Sequence, residues 1–137
     1  REGALAAVAA HPGVGVCLMH MRGEPGSMQD LAVYQDVVAE VVDFLRARLE
    51  AAEAAGIARR RVALDPGIGF AKTAEHNWTL LVRQSELLAL DNPLVVGWSR
   101  KSSLGALTGR PVGERMAASV AGLSSRNANS ADAVLCQ

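Results

Sequence analysis

The sequence predicts an α/β domain whose parallel strands are joined by helical crossovers. Three observations carry that expectation. Short apolar runs at Val14–Met21, Val62–Leu64 and Leu94–Trp98 each end in turn-forming or polar residues, as strands do when a sheet is covered by other elements. Longer stretches with apolar residues at helical spacing separate them. The distance from run to run fits βαβ units of roughly 30 or more residues, too long for hairpins and long enough for a crossover helix.

The totals agree with a single soluble domain. At 137 residues, 50% hydrophobic and 20% charged, the chain is long enough to bury one core. Lys plus Arg and Asp plus Glu both number 14, which leaves no electrostatic footprint for nucleic acid or for an anionic membrane. No apolar run approaches the ~20 residues a membrane helix needs, and no signal-peptide pattern is visible. Cys17 and Cys136 are the only cysteines. With Cys17 inside an apolar run, the expectation is a reducing cytoplasm, with no disulfide framework and no thiolate metal site. The chain opens on Arg1 rather than methionine, which predicts a piece of something longer.

The elements follow in order. Glu2 to Ala10 is alanine-rich and breaks at His11-Pro12-Gly13, so a helix ends there. The first strand, Val14–Met21, is closed by Gly23-Glu24-Pro25-Gly26. A long helix is expected from about Asp30 to Ala55, because Tyr34, Val37, Val38, Val41, Phe44, Leu45 and Leu49 recur on one face. Gly56 ends it as a C-cap, and Arg59, Arg60 and Arg61 suit the macrodipole from solvent. After the second strand, Thr73 caps a helix from about Ala74 to Leu90, stopped by Asp91-Asn92-Pro93, with Trp78 expected in the packing. The third strand leads through Ser99-Arg100-Lys101-Ser102 to a last helix carrying Val112, Met116, Val120 and Leu123. From Gly122 the pattern decays, although Ala131 to Cys136 offers one more short apolar segment.

The chemistry is expected at the strand ends. Asp65 closes the run Val62-Ala63-Leu64, and in parallel α/β folds the C-terminal ends of strands face the ligand crevice. Gly67 and Gly69 allow close backbone approach, Phe70 presents a flat face and Lys72 a cation. Asp65-Pro66-Gly67 is also an ordinary turn. The segment is neither a P-loop, since Ala71 precedes the lysine, nor a dinucleotide fingerprint, which needs a small residue at Lys72. Met19 to Arg22 and Ser99 to Ser102 supply two further tips, and parallel neighbours would gather all three on one face. Lys101 is either an anion or carbonyl ligand or a solvated loop lysine. His20 is either a general base or metal ligand or a hydrogen-bonded structural residue, and no histidine pair has metal-ligand spacing.

The segments V-C-L-M-H-M-R-G-E-P-G-S-M-Q (Val16 to Gln29), L-D-P-G-I-G-F-A-K (Leu64 to Lys72), L-V-V-G-W-S-R-K-S (Leu94 to Ser102) and E-R-M-A-A-S-V-A (Glu114 to Ala121) together resemble bacterial dihydropteroate synthase, a pterin-binding family. The resemblance implies a partial TIM (β/α)8 barrel of about three consecutive βα units, strands 5 to 7. It implies condensation of 6-hydroxymethyl-7,8-dihydropterin diphosphate with 4-aminobenzoate in folate biosynthesis. Asp65 and Lys101 would be the catalytic pair, with Asp65 accepting hydrogen bonds from the pterin's amino and ring N–H groups. Met19, Phe70 and Gly97 would line the pterin slot. Ser102 would meet the aminobenzoate carboxylate at a helix N-terminus. Mg²⁺ on the departing diphosphate and a full-length homodimer are implied as well, together with the absence of nucleic-acid and membrane partners.

The departures are as informative. A closed barrel takes roughly 250 residues, so the family's earlier strands and the asparagine that helps hold Mg²⁺ fall outside the chain. Residues 1–121 are expected to form the pterin-binding part, while 122–137, in which Arg126 is followed by Asn127 and Ala128 and not by the histidine of Arg-x-His at the second position, are expected not to match the family. The isolated segment is expected to be inactive, with sheet edges that promote self-association. A methyltransferase-type pterin barrel also carries an Asp at a strand tip, but Lys101 within Ser-Arg-Lys-Ser argues against it. A non-catalytic α/β module is the remaining alternative.

Overall fold

A computed structural model describes residues 2–24, 26–97 and 133–135 of the chain. Helix α1 (Glu2–Ala9) precedes β1 (Val16–Met19); α2 (Val37–Ala54) crosses to β2 (Val62–Asp65); α3 (Ala74–Val82) and α4 (Gln84–Leu88) cross to β3 (Leu94–Val96); β4 is Ala133–Leu135. The last expected helix and the Ser99–Ser102 tip lie outside the described residues, as does Trp98.

The strands lie in the order β1-β2-β3-β4, and each neighbouring pair is parallel. An order that never reverses sends successive right-handed crossovers to the same side of the sheet, whereas a doubly wound sheet reverses and takes helices on both sides. Burial records the result. Leu18, Val62, Leu64, Leu94 and Val96 are buried, while Cys17 and Met19 are exposed and Ala63, Asp65 and Val95 are half-buried. Since side chains alternate across a strand, one face carries the helices and the other stands open. The apolar runs, expected in a sheet covered by other elements, are fully buried on one face only.

The covered face is the core. Val38, Val41, Leu45 and Leu49 of α2 join Leu80 and Leu81 of α3 and Leu87 of α4 in one cluster with the buried strand residues. Leu45 is completely buried, so Leu45→Ala is expected to cost about 2–5 kcal/mol through lost contacts and the cavity left behind. Urea unfolding measures this, and a loss below about 1 kcal/mol would mean that α2 does not pack on the sheet as described.

Helix α2 starts later than the periodicity suggests. Asp36 is extended (φ −134°, ψ 102°) and its carboxylate accepts the N–H groups of Val38 and Ala39, so it caps the helix from outside. Glu40 reaches back to the N–H groups of Gln35 and Asp36, leaving Tyr34 in the loop before the helix. The expected helical start near Asp30 is instead a short 3-10 turn, Met28–Leu31. At the other end Gly56 (φ 90°) is the residue after the cap, and the bonds Gly56 N–H to Glu53 and Ile57 N–H to Ala52 close the helix with Ile57 buried.

Two further corrections concern polar side chains. Arg61 is not a solvent-facing complement to a dipole: its guanidinium donates to the carbonyls of Val14, Val8 and His11, tying the end of α1 to the start of β2. The helix expected from Ala74 to Leu90 breaks at Arg83 (φ −97°, ψ 22°), whose guanidinium bridges Glu86 at 2.6 Å and Asp36 at 3.1 Å. Thr73 does cap α3, in a reciprocal box with His76. Trp78, expected in the packing, is 44% exposed.

Candidate functional site

Parallel pairing puts the C-terminal ends of the strands at one rim. Met19 and Asp65 are register partners, and alternation places both on the open face. Gly97 follows β3 at the same rim and is half-buried. Phe70, also half-buried, comes from the loop after β2. Lys101 and Ser102 lie outside the described residues, as do Ser99 and Arg100.

The loop from Pro66 to Lys72 gives this rim its shape. Its first bond is local: one oxygen of the Asp65 carboxylate accepts the Gly67 N–H at 2.7 Å, the pattern by which an aspartate organises its own turn. The Asp65 carbonyl meanwhile accepts the His20 N–H at 2.9 Å, extending the β1–β2 pairing one step past the strand. Gly67 (φ 69°) and Gly69 (φ 84°) take left-handed conformations, and Ala71 does so at φ 50°. At Gly67 the requirement is also spatial. A Cβ there would stand 1.9 Å from the His20 carbonyl oxygen, because the loop crosses directly over the end of β1.

Lys72 departs from its sequence reading as a cation offered to a ligand. It is 3% exposed. Its Nζ donates to the carbonyls of Gly67 at 3.0 Å and Phe70 at 2.9 Å, and lies 2.9 Å from Nδ1 of His20. His20 is 2% exposed. Burial first, and the Lys72 ammonium next, lower its pKa to about 4, so the ring is neutral near pH 7 and Nδ1 accepts from Lys72. Of the two readings open at the sequence level, the structure supports the hydrogen-bonded structural residue. The Phe44 ring meets His20 edge-on at 4.9 Å between centroids.

Two supporting residues escaped the sequence reading. The Tyr34 hydroxyl donates to the Ala71 carbonyl at 2.9 Å, and the buried Asn77 side chain accepts the Gly69 N–H at 2.9 Å. Arg22 stacks over Tyr34, 4.0 Å from the ring centroid, and pairs with Glu40 at 2.8 Å. A polar residue inside an apolar helical stripe, as Asn77 is near Leu80 and Leu81, was the one available signal.

Among the described residues, no three His, Cys, Asp or Glu side chains come together as metal ligands. Nor is any helix among them long and apolar enough to cross a membrane. The rim therefore offers a carboxylate held by a backbone N–H and a thioether on one sheet face, with an aromatic residue in the loop that follows, a combination suited to a flat heterocycle with adjacent N–H donors.

The sequence profile of the family described as "Pterin binding enzyme" matches residues 1–136. The chain belongs to the pterin-binding enzyme family. Within it, the chain is 50% identical over 109 residues to a dihydropteroate synthase of Neisseria meningitidis serogroup C, covering 79% of this chain and 38% of that protein. Its fold superimposes on a crystal structure of dihydropteroate synthase from Stenotrophomonas maltophilia with active site-bound imidazole, at TM-score 0.85 and 55% identity, covering 90% of this chain and 47% of that one. It is similar as well to the Xanthomonas albilineans dihydropteroate synthase with 4-aminobenzoic acid, at TM-score 0.81 and 48% identity, covering 89% of this chain and 42% of that one. That enzyme is also known in complex with 7,8-dihydropteroate. This member of the pterin-binding family spans less than half the length of each of these relatives.

Proposed function

We propose that the chain is the part of a dihydropteroate synthase that supplies strands 5 to 7 of a (β/α)8 barrel. The observation that carries this reading is the Met19–Asp65 register on the open sheet face, in a chain half-identical to a dihydropteroate synthase. The open face then corresponds to the barrel interior, and the rim to the C-terminal mouth where such barrels hold substrates. Residues 1–121 are proposed as the pterin-binding part, and 122–137, which lack Arg-x-His, as a stretch that departs from the family's usual end although the profile match runs on to residue 136.

The reaction proposed is attack by the amine nitrogen of 4-aminobenzoate on the methylene carbon of 6-hydroxymethyl-7,8-dihydropterin diphosphate. A C–N bond forms, the C–O bond to the diphosphate breaks, its electron pair leaves with pyrophosphate, and the amine sheds a proton. Asp65 holds the pterin: a carboxylate can take two parallel N–H donors, the geometry it uses with a guanidinium. Met19, Phe70 and Gly97 border the ring. Lys101 is assigned to the ring's carbonyl edge and Ser102 to the aminobenzoate carboxylate, on the strength of their positions in the Ser-Arg-Lys-Ser segment. Positioning and charge complementarity supply the rate enhancement, since no strong base is needed to make an aromatic amine react at an activated carbon.

Among the described residues no three His, Cys, Asp or Glu side chains gather where a metal ion could sit. Mg²⁺ is proposed for the full-length protein only, held by residues other than these. A homodimeric full-length protein is proposed from the family resemblance, and a cytoplasmic one from the sparse cysteines.

The test pairs calorimetry with a turnover assay. The 137-residue chain is expected to bind 6-hydroxymethylpterin and to show no turnover with 4-aminobenzoate. Asp65→Asn keeps an acceptor for the Gly67 N–H but removes the charge, so pterin affinity should fall about 10- to 100-fold, the worth of a hydrogen bond to a charged group, with the unfolding midpoint unchanged. Equal affinity of parent and variant would sink the assignment of Asp65.

A further inference from the structure

A glycine-rich loop is expected to be the softest part of a site, since each glycine carries the largest backbone entropy to be lost on ordering. The loop after β2 contains Gly67 and Gly69 and three residues at positive φ, yet it is held from several directions. Lys72 Nζ binds the carbonyls of Gly67 and Phe70, Tyr34 binds that of Ala71, and Asn77 takes the Gly69 N–H. Lys72 also reaches His20, the residue that follows Met19 at the end of β1. A single ammonium therefore joins both ends of the loop to the neighbouring strand.

We propose that Lys72 and His20 are positioning residues of the pterin site: their buried contact pins the 66–72 loop to the end of β1 and so fixes where Asp65 and Phe70 stand. The proposal deepens the reading above and rests on it for the identity of the ring. Neither side chain touches the ring on this account. A buried ammonium is costly to desolvate and is retained when several acceptors converge on it, and here two carbonyls and an imidazole do. The geometry at Gly67 points the same way, since the loop passes directly over the His20 carbonyl. Neutral His20 keeps its acceptor at Nδ1 through the physiological range.

The experiment uses the 137-residue chain and three variants: Lys72→Met, His20→Leu and His20→Asn. Asparagine can place its Oδ1 where Nδ1 stands and restore the acceptor; leucine cannot. Two quantities are read: amide hydrogen exchange at Gly67, Gly69 and Phe70, and affinity for 6-hydroxymethylpterin. Lys72→Met and His20→Leu are expected to raise loop exchange at least tenfold and weaken pterin binding at least tenfold, with exchange at Val41 and Leu45 unchanged. His20→Asn is expected to stay within threefold of the parent in both. Faster exchange with unaltered affinity would show that the contact holds the loop without serving the site, and overturns the proposal; so does unaltered exchange. If Lys72→Met does not fold, the difference between His20→Asn and His20→Leu decides, and equal behaviour of the two overturns it. Failure of the parent itself to bind pterin sinks the functional reading instead, and the proposal for the site falls with it, while exchange still shows whether the contact holds the loop.

Discussion

Replacing Gly67 by alanine is expected to cost about 4 kcal/mol or more of folding stability, from backbone strain at positive φ together with hydrogen bonds broken when the loop is forced away. The geometry leaves little alternative. The added Cβ would stand 1.9 Å from the His20 carbonyl oxygen and 3.3 Å from Lys72 Nζ, and a backbone atom, unlike the end of a flexible side chain, cannot swing aside. The loop must rise by more than an ångström, which separates Lys72 from its acceptors and leaves a buried ammonium short of partners. Strain at φ 69° adds about 1–2 kcal/mol by itself. Gly13→Ala is the control: nothing lies within 4 Å of its Cβ position, so stability should change by about 0.5 kcal/mol at most. Denaturant unfolding of both variants checks the expectation, and a Gly67→Ala loss below about 1 kcal/mol would show that the loop does not lie over β1.

Acid should destabilise the chain through His20 well before most carboxylates protonate. In the unfolded chain the imidazole takes up a proton near pH 6.5; in the fold, burial and the Lys72 ammonium delay this to about 4, with Arg22 adding to the opposition and Glu40 partly offsetting it. Between these values the unfolded state binds more protons, so stability falls as pH falls. The stabilisation is fully present above pH 6.5. Its loss amounts to about 2 kcal/mol by pH 5 and on the order of 3 kcal/mol by pH 4. Asn cannot titrate, so His20→Asn should flatten this part of the profile. Stabilities measured from pH 7 down to 5 in parent and variant give the comparison, and parallel profiles would show that His20 is not a buried neutral residue.

The sites of correction share a physical origin. Periodicity marked the apolar face of α2 but not its first residue, because Asp36 stops the helix with its own side chain and a capping aspartate looks like any polar residue of the exposed face. Trp78 is expected in the packing as an apolar helix residue, yet apolar character does not say which way a helix position faces. Arg61 reads as one more surface charge until α1 is folded back beside it. Lys72 departs furthest from what its local sequence suggests. Its sequence neighbours are glycines and an aromatic residue, the setting of a ligand-binding cation, while the acceptor that draws it inward is a histidine 52 positions away.

Local chemistry in the sequence determined the alternation of strands and helices, the cap at Thr73, the stop at Gly56, and the delivery of Asp65 to a strand end, since these depend on residues a few positions apart. The family was legible for the same reason: its marks are contiguous segments. Which sheet face stands open, and that Met19 and Asp65 share it, depends on strand order and register. Those are set by long-range pairing and by the side on which the crossovers pack. The burial of Lys72 against His20 belongs to this second group, because an ammonium leaves water only where several acceptors from distant parts of the chain have already been brought together.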